Sequence, residues 1–432
     1  MRLTKILRRR HFASYPSANL LRQVTPPNVY VNEFEPKENR EDEILNAARS
    51  HILSGDTKPI QIVRLKDVRD SVELWREHLP RVRPYYAVKC NPDPEILSLL
   101  ASMNTGFDAA SGAEVQSALN TGIDPSRVIY ANPIKQISHL RGAAEAGVMT
   151  TTFDSLDELE KIATHHPEAK LMLRLRPDDS KAKCRLGQKF GSSINAVPVL
   201  LRRAAELNLN VIGVSFHVGS GNDHANSWRK AIDLARAAFD LNAGTHDFSV
   251  LNIGGGFSAC PDTFSNIASV VKQHLDRRFP SDIQIIAEPG RFVVEKSHSL
   301  LVNVIGKRTE TCVNGTPRHG EDRDGPMYFV NDGLYGSFNC VLYDHAELET
   351  PQAMSSKGDV IEPEHHETRH CSVWGNTCDG LDCVMPRVRL PSNLSTGSWL
   401  MFSSMGAYTT AAASSFNGFE PPRSEYIFKL VN

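Results

Sequence analysis

The strongest constraint on the fold is a regular alternation of strand-like and helical segments through the middle of the chain. The strand-like segments are short runs rich in β-branched, aromatic and aliphatic residues. There are eight of them: Arg83–Cys90, Thr105–Ser111, Arg127–Asn132, Val148–Asp154, Lys170–Arg176, Asn210–Gly219, Phe248–Gly256 and Ile283–Arg291. Helical patterns lie between them, for example at Pro94–Met103, Ala113–Asn120, Leu156–His165, Val197–Leu207 and Ser227–Leu241. Eight strands alternating with helices over about 200 residues favour a closed (β/α)8 barrel of the TIM type over an open sheet.

The segments on either side of this barrel predict further units, for which 432 residues leave room. A short helix at Glu41–Leu53 and a strand at Ile60–Leu65 precede it. After Arg291 strands follow without helices, which predicts a separate β domain: Ser299–Lys307, Met327–Asn331, Ser372–Trp374 and Ser398–Ser403. The polar segments Glu310–Pro326 and Ala353–His370 read as mobile loops. We therefore predict a basic, disordered tail at 1–40, a helix and strand at 41–82 that associate with the β domain, the barrel at 83–295, and the β domain at 296–432.

Charge and cysteine usage exclude several classes of function. The net charge of −2 gives no general attraction to nucleic acid or to an anionic membrane. No apolar run approaches the roughly 18–20 residues of a membrane span. The eight cysteines are scattered and form no CxxC pair, so we expect no metal site and reduced thiols in an intracellular, cytoplasmic protein.

The first 32 residues carry several arginines and serines and no acidic residue before Glu33. This composition resembles a mitochondrial presequence. A disordered basic tail explains it equally simply, and we favour the tail over mitochondrial import.

One lysine is placed where it can do chemistry. The run Pro84–Asn91 ends the first barrel strand on Lys89, and Asn-Pro-Asp-Pro then stops the strand. At the mouth of a barrel a lysine can be partly desolvated, lose its proton near neutral pH, and form a Schiff base with an aldehyde. We therefore predict that Lys89 holds a cofactor.

Other polar residues fall at the carboxyl ends of barrel strands, where barrel enzymes place their chemistry. These residues are Lys89, Asp108, Arg174, His217, Gly254, Gly255, Gly256 and Glu288. Taken singly, Asp108 and Arg174 suit ion pairs at the rim, and a lone histidine is more often structural. Because so many of these residues occur at strand ends, the set as a whole indicates a functional site.

Two motifs suit the ends of one phosphorylated aromatic ligand. Three glycines after a buried strand let backbone N–H groups approach a phosphate, although a tight turn explains Gly254–Gly256 equally well. In Glu288-Pro-Gly-Arg291 the arginine can pair with that phosphate and the acid can hold a protonated ring nitrogen; alone, the motif would be a turn with a solvated arginine. His217 can stack on the ring and Ser220 can bind the phosphate. Together with Lys89 these residues describe pyridoxal 5′-phosphate.

Ten segments, in this order, closely resemble the eukaryotic ornithine decarboxylases, from about residue 59 to 428. They are PYYAVKCN, TGFDAAS, IYANPIKQ, LRLRPDDSKAKCRLGQKFG, VSFHVGSG, NIGGGF, IIAEPGR, YFVNDGLYGSFNCVLYDHA, WGNTCDGLD and MGAYTTAAASSFNGF. The resemblance implies a fold-type III pyridoxal phosphate enzyme with a barrel and a C-terminal β domain. It also implies a head-to-tail homodimer with shared active sites.

The resemblance assigns a role to each matching residue. Lys89 would bind the cofactor aldehyde beside Asp108, His217 would stack on the ring, and Glu288 would hold its nitrogen. The remaining cofactor ligands would be Arg174, Ser220, Gly254, Gly255, Gly256, Arg291 and Tyr408. The substrate pocket would be lined by Tyr343 and Asp344, joined from the partner subunit by Cys378 and Asp379. Lys189 and Asp382 would bridge the dimer.

The implied reaction is decarboxylation of L-ornithine to putrescine. Two carboxylates, Asp344 and Asp379, suit a substrate whose far end is an ammonium, and the Cys378 thiol would return a proton to Cα after carbon dioxide leaves. Read without the resemblance, Cys378 and Asp379 would be a surface turn.

Several features leave alternatives open. Arg64 stands where the family usually has an acid, Asn252 where it usually has Asp, and Phe292 where it usually has Tyr. A paralogue acting on lysine or a larger amino acid in alkaloid-type secondary metabolism is the main alternative, and an inactive regulator like the antizyme inhibitors is a minor one. The YDHA and CDGLD segments disfavour a racemase or an arginine or diaminopimelate decarboxylase. The family also suggests antizyme as a partner, but the chain stops soon after the last strand, without the acidic, degradation-linked tail, which weakens that expectation.

Overall fold

The computed structural model describes residues 39–309 and 325–427. Most of the predicted basic tail, and most of the loop predicted at Glu310–Pro326, lie outside these residues. The described chain begins with helix α1 (Arg40–Leu53), strand β1 (Ile60–Arg64) and helix α2 (Leu65–His78). Asn39 caps α1, because its side-chain oxygen accepts a hydrogen bond from the Asp42 N–H at 3.0 Å.

A closed barrel of eight parallel strands follows, so the predicted (β/α)8 barrel is confirmed. The strands are β2 (Val82–Ala87), β3 (Gly106–Ala109), β4 (Val128–Tyr130), β5 (Thr150–Phe153), β6 (Lys170–Arg174), β7 (Asn210–Ser215), β8 (Val250–Asn252) and β9 (Gln284–Ala287). β2 pairs with β3 on one side and with β9 on the other, which closes the ring. Each strand is shorter than the sequence predicted.

Helices surround the barrel and supply its main core. They are α3 (Pro94–Ser102), α4 (Gly112–Leu119), α5 (Ile137–Glu145), α6 (Leu156–His165), α7 (Val197–Glu206), α8 (Ala225–Asn242), α9 (Pro261–Arg278) and α10 (Arg291–Val294). Large aromatic side chains fill the layer between strands and helices; Phe257, for example, packs with ring centroids 4.7 Å from Trp75 and 4.0 Å from Trp228. Burial of such rings is a major source of stability.

The C-terminal part forms a second, mixed sheet, as predicted. It contains β10 (His298–Arg308), β11 (Met327–Val330), the short helix α11 (Asn339–Tyr343), β12 (Gln352–Met354), β13 (Thr368–Trp374), β14 (Cys383–Pro391), β15 (Trp399–Phe402) and β16 (Arg423–Ile427). β1 belongs to this sheet, since it pairs antiparallel with β10 and parallel with β16. The sheet therefore joins residues from both ends of the described chain.

Three of these strands, β12, β14 and β16, were not predicted from the sequence. β14 contains Pro386 and exposed arginines at 387 and 389. Within the described residues it pairs only with β13, so it lies at the edge of the sheet, where a proline is tolerated. The expectation that Ala353–His370 is wholly loop is wrong, because the segment includes the end of β12 and the start of β13.

Among the described residues, no helix combines the length and apolar character needed to cross a membrane. Nor do His, Cys, Asp or Glu side chains within 39–309 and 325–427 gather in threes where a metal ion could bind.

Candidate active site

Lys89 and Asp108 meet at the carboxyl end of the barrel. β2 ends at Ala87 and a single 3-10 turn, Val88–Cys90, carries Lys89 to the rim. Its Nζ lies 2.8 Å from Oδ2 of Asp108, on the neighbouring strand β3. The Asp108 carboxylate is buried, whereas 41% of the Lys89 side chain is accessible. Among the described residues Oδ1 of Asp108 has no hydrogen-bond partner, so an acceptor remains available beside the amine.

The expectation that Lys89 loses its proton near neutral pH is wrong for the chain as described. Burial lowers the pKa of Lys89, but the Asp108 carboxylate, with Tyr408 and Glu288 adding to it, raises that pKa above its ordinary value. These neighbours therefore favour the protonated form of Lys89.

The glycine turn after β8 is packed too closely for side chains. A Cβ on Gly254 would lie 2.1 Å from the carbonyl oxygen of Phe216, and a Cβ on Gly255 would lie 2.5 Å from that of Glu288. Gly254 and Gly256 also have positive φ, +64° and +104°. Only glycines suit this turn, and without Cβ atoms its backbone can be approached closely by a phosphate.

Glu288 is a buried acid next to this turn, just beyond the end of β9. Its N–H donates to the Gly254 carbonyl at 2.7 Å, and its Oε1 accepts a hydrogen bond from Nδ2 of Asn252 at 2.6 Å. Burial and the charge of Asp108 raise the pKa of Glu288 to about 7, while Lys89, Arg174 and Asn252 oppose that rise. The site thus contains an acid whose pKa lies near neutral pH.

His217 and Arg174 are two further ionisable residues close to Lys89 and Glu288. Nδ1 of His217 accepts a hydrogen bond from the Gly219 N–H at 3.0 Å, so the proton of the neutral ring sits on Nε2. Burial, Arg174 and Lys89 keep the pKa of His217 well below its ordinary range. Burial also lowers the pKa of Arg174, against the pull of Glu288 and Asp108. His217 is neutral here, as an aromatic stacking partner should be.

Arg291 is the arginine for which the sequence predicted phosphate binding. Its Nη1 donates to Oε2 of Glu295 at 2.6 Å, its Nη2 donates to Asp344, and its Cζ lies 5.3 Å from the Tyr408 ring centroid. Burial lowers the pKa of Arg291, but Asp344 and Glu295 raise it more. Ser220, Arg291 and Asp344 line one cavity of about 450 Å³.

The residues predicted to come from a partner lie away from this cavity. Cys378 and Asp379 form an exposed turn between β13 and β14 and are not among the described residues that line it. The Cys378 N–H donates to Oδ1 of Asn417 at 3.0 Å. The Tyr335 hydroxyl donates to Oδ2 of Asp379 and holds the pKa of that carboxyl below its usual range. Their roles stay predictions.

The structure gives positions for three other predicted residues, whose roles stay predictions. Tyr343 is 72% exposed, so its place in a substrate pocket stays a prediction. Lys189 is exposed, with Nζ 5.1 Å from the Phe190 ring centroid. Asp382 is buried and accepts from the Leu334 N–H at 2.7 Å and the Thr377 hydroxyl at 2.6 Å, so its carboxylate already has partners within the chain.

Two residues that contact predicted site residues were not themselves predicted from the sequence. Tyr335 contacts Asp379 and stacks on Phe416 at 4.4 Å between centroids. Asn252 appeared only as a departure from a pattern, yet it contacts Glu288 directly. The position of Asn252 at the end of a barrel strand, the criterion that selected the other residues, would have found it.

Comparison with known proteins gives two matching family models. Residues 65–295 match "Pyridoxal-dependent decarboxylase, pyridoxal binding domain", and residues 248–406 match "Pyridoxal-dependent decarboxylase, C-terminal sheet domain". Ornithine decarboxylase of Rattus norvegicus is 46% identical over 395 residues, covering 89% of this chain and 84% of that protein. Antizyme inhibitor 2 of Xenopus laevis is 44% identical over 371 residues, covering 83% and 80%.

Solved structures agree with these matches. The arginine decarboxylase of Paramecium bursaria Chlorella virus superposes with a TM-score of 0.80 at 38% identity, covering 88% of this chain and all of that one. The structure of a mutant of SrLDC in complex with PLP superposes with a TM-score of 0.78 at 30% identity, covering 88% of this chain and 94% of that one. Each shares the arrangement of barrel and sheet described above.

Proposed function

The chain belongs to the pyridoxal-dependent decarboxylase family, and from that membership we propose that it converts L-ornithine to putrescine and carbon dioxide with pyridoxal 5′-phosphate as its cofactor. The observation that carries the choice of ornithine is the 46% identity with the rat enzyme over 89% of the chain. The yeast Schizosaccharomyces pombe supplies a second ornithine decarboxylase, 43% identical over 381 residues.

Three features of the barrel rim fit pyridoxal phosphate. The glycine turn has no room for side chains, so a phosphate can approach its backbone, and Arg291 and Ser220 line one cavity. Oδ1 of the buried Asp108 lacks a hydrogen-bond partner in the described part of the chain. Glu288 is a buried acceptor with one carboxylate oxygen already held by Asn252. These groups suit, in order, the phosphate, the aldehyde end and the ring nitrogen.

When bound, pyridoxal phosphate supplies an aldehyde that captures the substrate amine and a ring that accepts the electrons of the Cα–carboxylate bond. Lys89 would bind the aldehyde through Nζ, which Asp108 orients. Glu288 would keep a proton on the ring nitrogen, while neutral His217 would cover the ring. Gly254–Gly256 and Arg291 would anchor the phosphate, which would fix the orientation of the bound substrate.

Substrate recognition and proton return would depend on a second copy of the chain. Asp344 faces the cavity, and Asp379 of the partner subunit would supply the second carboxylate for the distal ammonium. Cys378 of the partner subunit would give a proton to Cα. Large apolar side chains lie exposed beside these turns, with Leu381 74% and Tyr343 72% accessible, which supports a homodimer interface there.

One alternative has a specific observation in its favour: the 44% identity with an antizyme inhibitor admits an inactive regulator. The Lys89–Asp108 contact and the intact glycine turn argue against it, because a regulator needs neither. The same comparison suggests antizyme as a partner, which binding to purified antizyme would test.

The function is tested by measuring carbon dioxide release from L-ornithine, L-lysine and L-arginine by purified, cofactor-loaded protein. We expect ornithine to be turned over with the highest kcat/KM, and K89A to release nothing above background. Turnover of another amino acid in preference to ornithine would contradict the substrate, and a colourless, inactive wild type would contradict the enzyme.

A further inference from the structure

Asn252 is a fully buried amide that joins the glycine turn to Glu288. Its Oδ1 accepts a hydrogen bond from the Gly254 N–H at 2.9 Å, and its Nδ2 donates to Oε1 of Glu288 at 2.6 Å. Because a backbone N–H can only donate, the amide oxygen must face Gly254. The amide NH2 must then face Glu288, so the orientation of the side chain is fixed.

The groups around Glu288 make this donor important. Asp108 faces it with a like charge, while Lys89 and Arg174 face it with opposite charges. His217, which lies across the turn, is neutral. Burial together with Asp108 raises the pKa of Glu288, and the Asn252 hydrogen bond favours its ionised form. An amide donates at every pH, whereas the Asp usual in the resembling family can donate only when it carries a proton.

We propose that Asn252 is a positioning residue for Glu288: its amide occupies Oε1 with a permanent donor and leaves Oε2 as the acceptor for the protonated ring nitrogen of the cofactor. This inference rests on the proposed function, which places pyridoxal phosphate over Glu288. In this chain the charge opposite the ring nitrogen therefore does not depend on a proton shared between two carboxyl groups.

The substitution N252D separates the two contacts of the residue. An aspartate keeps an oxygen for the Gly254 N–H but places a second carboxyl group against Glu288. Two carboxyl groups in contact cannot both ionise readily, so they share a proton and titrate as a pair with a raised upper pKa. The variant should therefore behave like the wild type only while that proton is present.

The test is a pH titration of the visible absorbance of bound pyridoxal phosphate, with its dissociation constant measured at each pH, from about pH 6 to about pH 9. We expect N252D to show an added ionisation step that the wild type lacks. Its affinity should match the wild type at the acid end and weaken by roughly tenfold at the alkaline end, because the two ionised groups repel and displace Glu288.

Asn242, at the end of α8, offers a matched control. Its Oδ1 accepts from the His246 N–H at 3.0 Å and its Nδ2 donates to the His246 carbonyl at 2.7 Å, the same pair of contacts without a carboxylate. N242D should give absorbance and affinity curves that superpose on those of the wild type.

Superposable curves for N252D and the wild type would overturn the inference while leaving the proposed function intact; failure of the wild type to bind pyridoxal phosphate would instead overturn the function. If N252D does not fold, as judged by circular dichroism, N252S decides. The shorter hydroxyl can accept from Gly254 but does not reach Glu288, so the dissociation constant should rise roughly tenfold at every pH. Wild-type affinity in N252S would overturn the inference.

Discussion

At the scale of single residues, the site is governed by which charges face each other. Lys89 is the clearest case, because its position was predicted from the sequence but its protonation was not. A strand that ends on a lysine is visible in a local pattern. The carboxylate that holds the ammonium comes from β3, a neighbour only in the folded barrel, so the local pattern contained no sign of it.

Removing that carboxylate should change the titration of Lys89. In D108N the chief group that raises the pKa of Lys89 is gone, so that pKa should fall toward the value that burial alone favours. The rate of cofactor capture by cofactor-free protein, which needs the unprotonated amine, should then reach its alkaline plateau at lower pH. A surface control, D240N, should leave the midpoint in place. An unchanged midpoint in D108N would show that Asp108 does not set the charge of Lys89.

Asp344 is expected to contribute to binding rather than to chemistry. It lines the cavity but is paired with Arg291 and not with Lys89. In the proposed complex Asp344 pairs with the distal ammonium of ornithine. Removing one partner of such a desolvated charge pair is costly, so D344N should raise KM for ornithine roughly 10- to 100-fold with a smaller effect on kcat.

The matched control for D344N is E347Q, in which an exposed carboxylate of the same cavity is neutralised. Exposed ion pairs contribute little, so its KM should stay near that of the wild type. Equal KM values for D344N and the wild type would remove Asp344 from substrate binding.

At the scale of elements, the barrel was predictable and the second sheet only partly so. Barrel strands are buried on both faces and read as continuous apolar runs, which a sequence shows directly. β14 contains two prolines, and β16 contains the charged residues Arg423 and Glu425 and pairs with β1, which lies near the other end of the described chain. The turn at Cys378–Asp379 could be recognised only through a family resemblance, because its side chains have no role that their own neighbours in sequence reveal.

The glycine turn after β8 gives a prediction at this scale. A methyl group on Gly255 would meet the Glu288 carbonyl and Nε2 of His217, at 2.5 and 2.9 Å, so G255A must displace one wall of the cofactor site. Overpacking of this kind should weaken pyridoxal phosphate binding by roughly tenfold or more, measured by absorbance. G142A, in helix α5 where a Cβ meets no neighbour within 4 Å, should bind the cofactor normally. Normal cofactor binding by G255A would show that the turn accommodates the added methyl group without disturbing the site.

At the scale of the whole molecule, a buried histidine lies at the junction of barrel and sheet. His298 begins β10, and its Nε2 accepts a hydrogen bond from Nδ2 of Asn91, at 3.2 Å, in the loop after β2. The Asn91 amide also donates to the Gly406 carbonyl at 3.0 Å. Burial lowers the pKa of His298 to about 4, and the charge of Asp93 only partly opposes this. A protonated ring would set one N–H group against another.

The stability of the chain should therefore fall in acid through this residue. The folded pKa lies below the unfolded value of about 6.5, so the unfolded state takes up a proton first and unfolding becomes easier as pH drops from about 6.5 to about 4. The loss from His298 alone is of order 3 kcal/mol. H298Q, which cannot titrate, should lessen the decline in Tm over this interval. An identical pH profile in H298Q would assign the acid sensitivity to other groups.

The proposed shared site predicts complementation between inactive copies. K89A and C378A should each be inactive, since one lacks the cofactor lysine and the other the donor that the partner subunit requires. Mixed and allowed to exchange, they should recover up to about a quarter of wild-type activity, because half of the dimers are hybrids with one intact site each. Mixing K89A with D108N, whose changes lie in the same half-site, serves as a control and should restore much less. No recovery with C378A, despite subunit exchange, would place Cys378 in the site of its own chain.

The pairing of β1 with both β10 and β16 has a consequence for how the molecule is made. During synthesis β1 leaves the ribosome before any of the barrel, whereas β16 follows only after the barrel and the rest of the second sheet. β10 can cover one edge of β1, but the other edge must stay open until β16 has been made. A nascent chain arrested before residue 423 should expose this edge to chaperones, and synthesis of residues 423–427 should end that exposure.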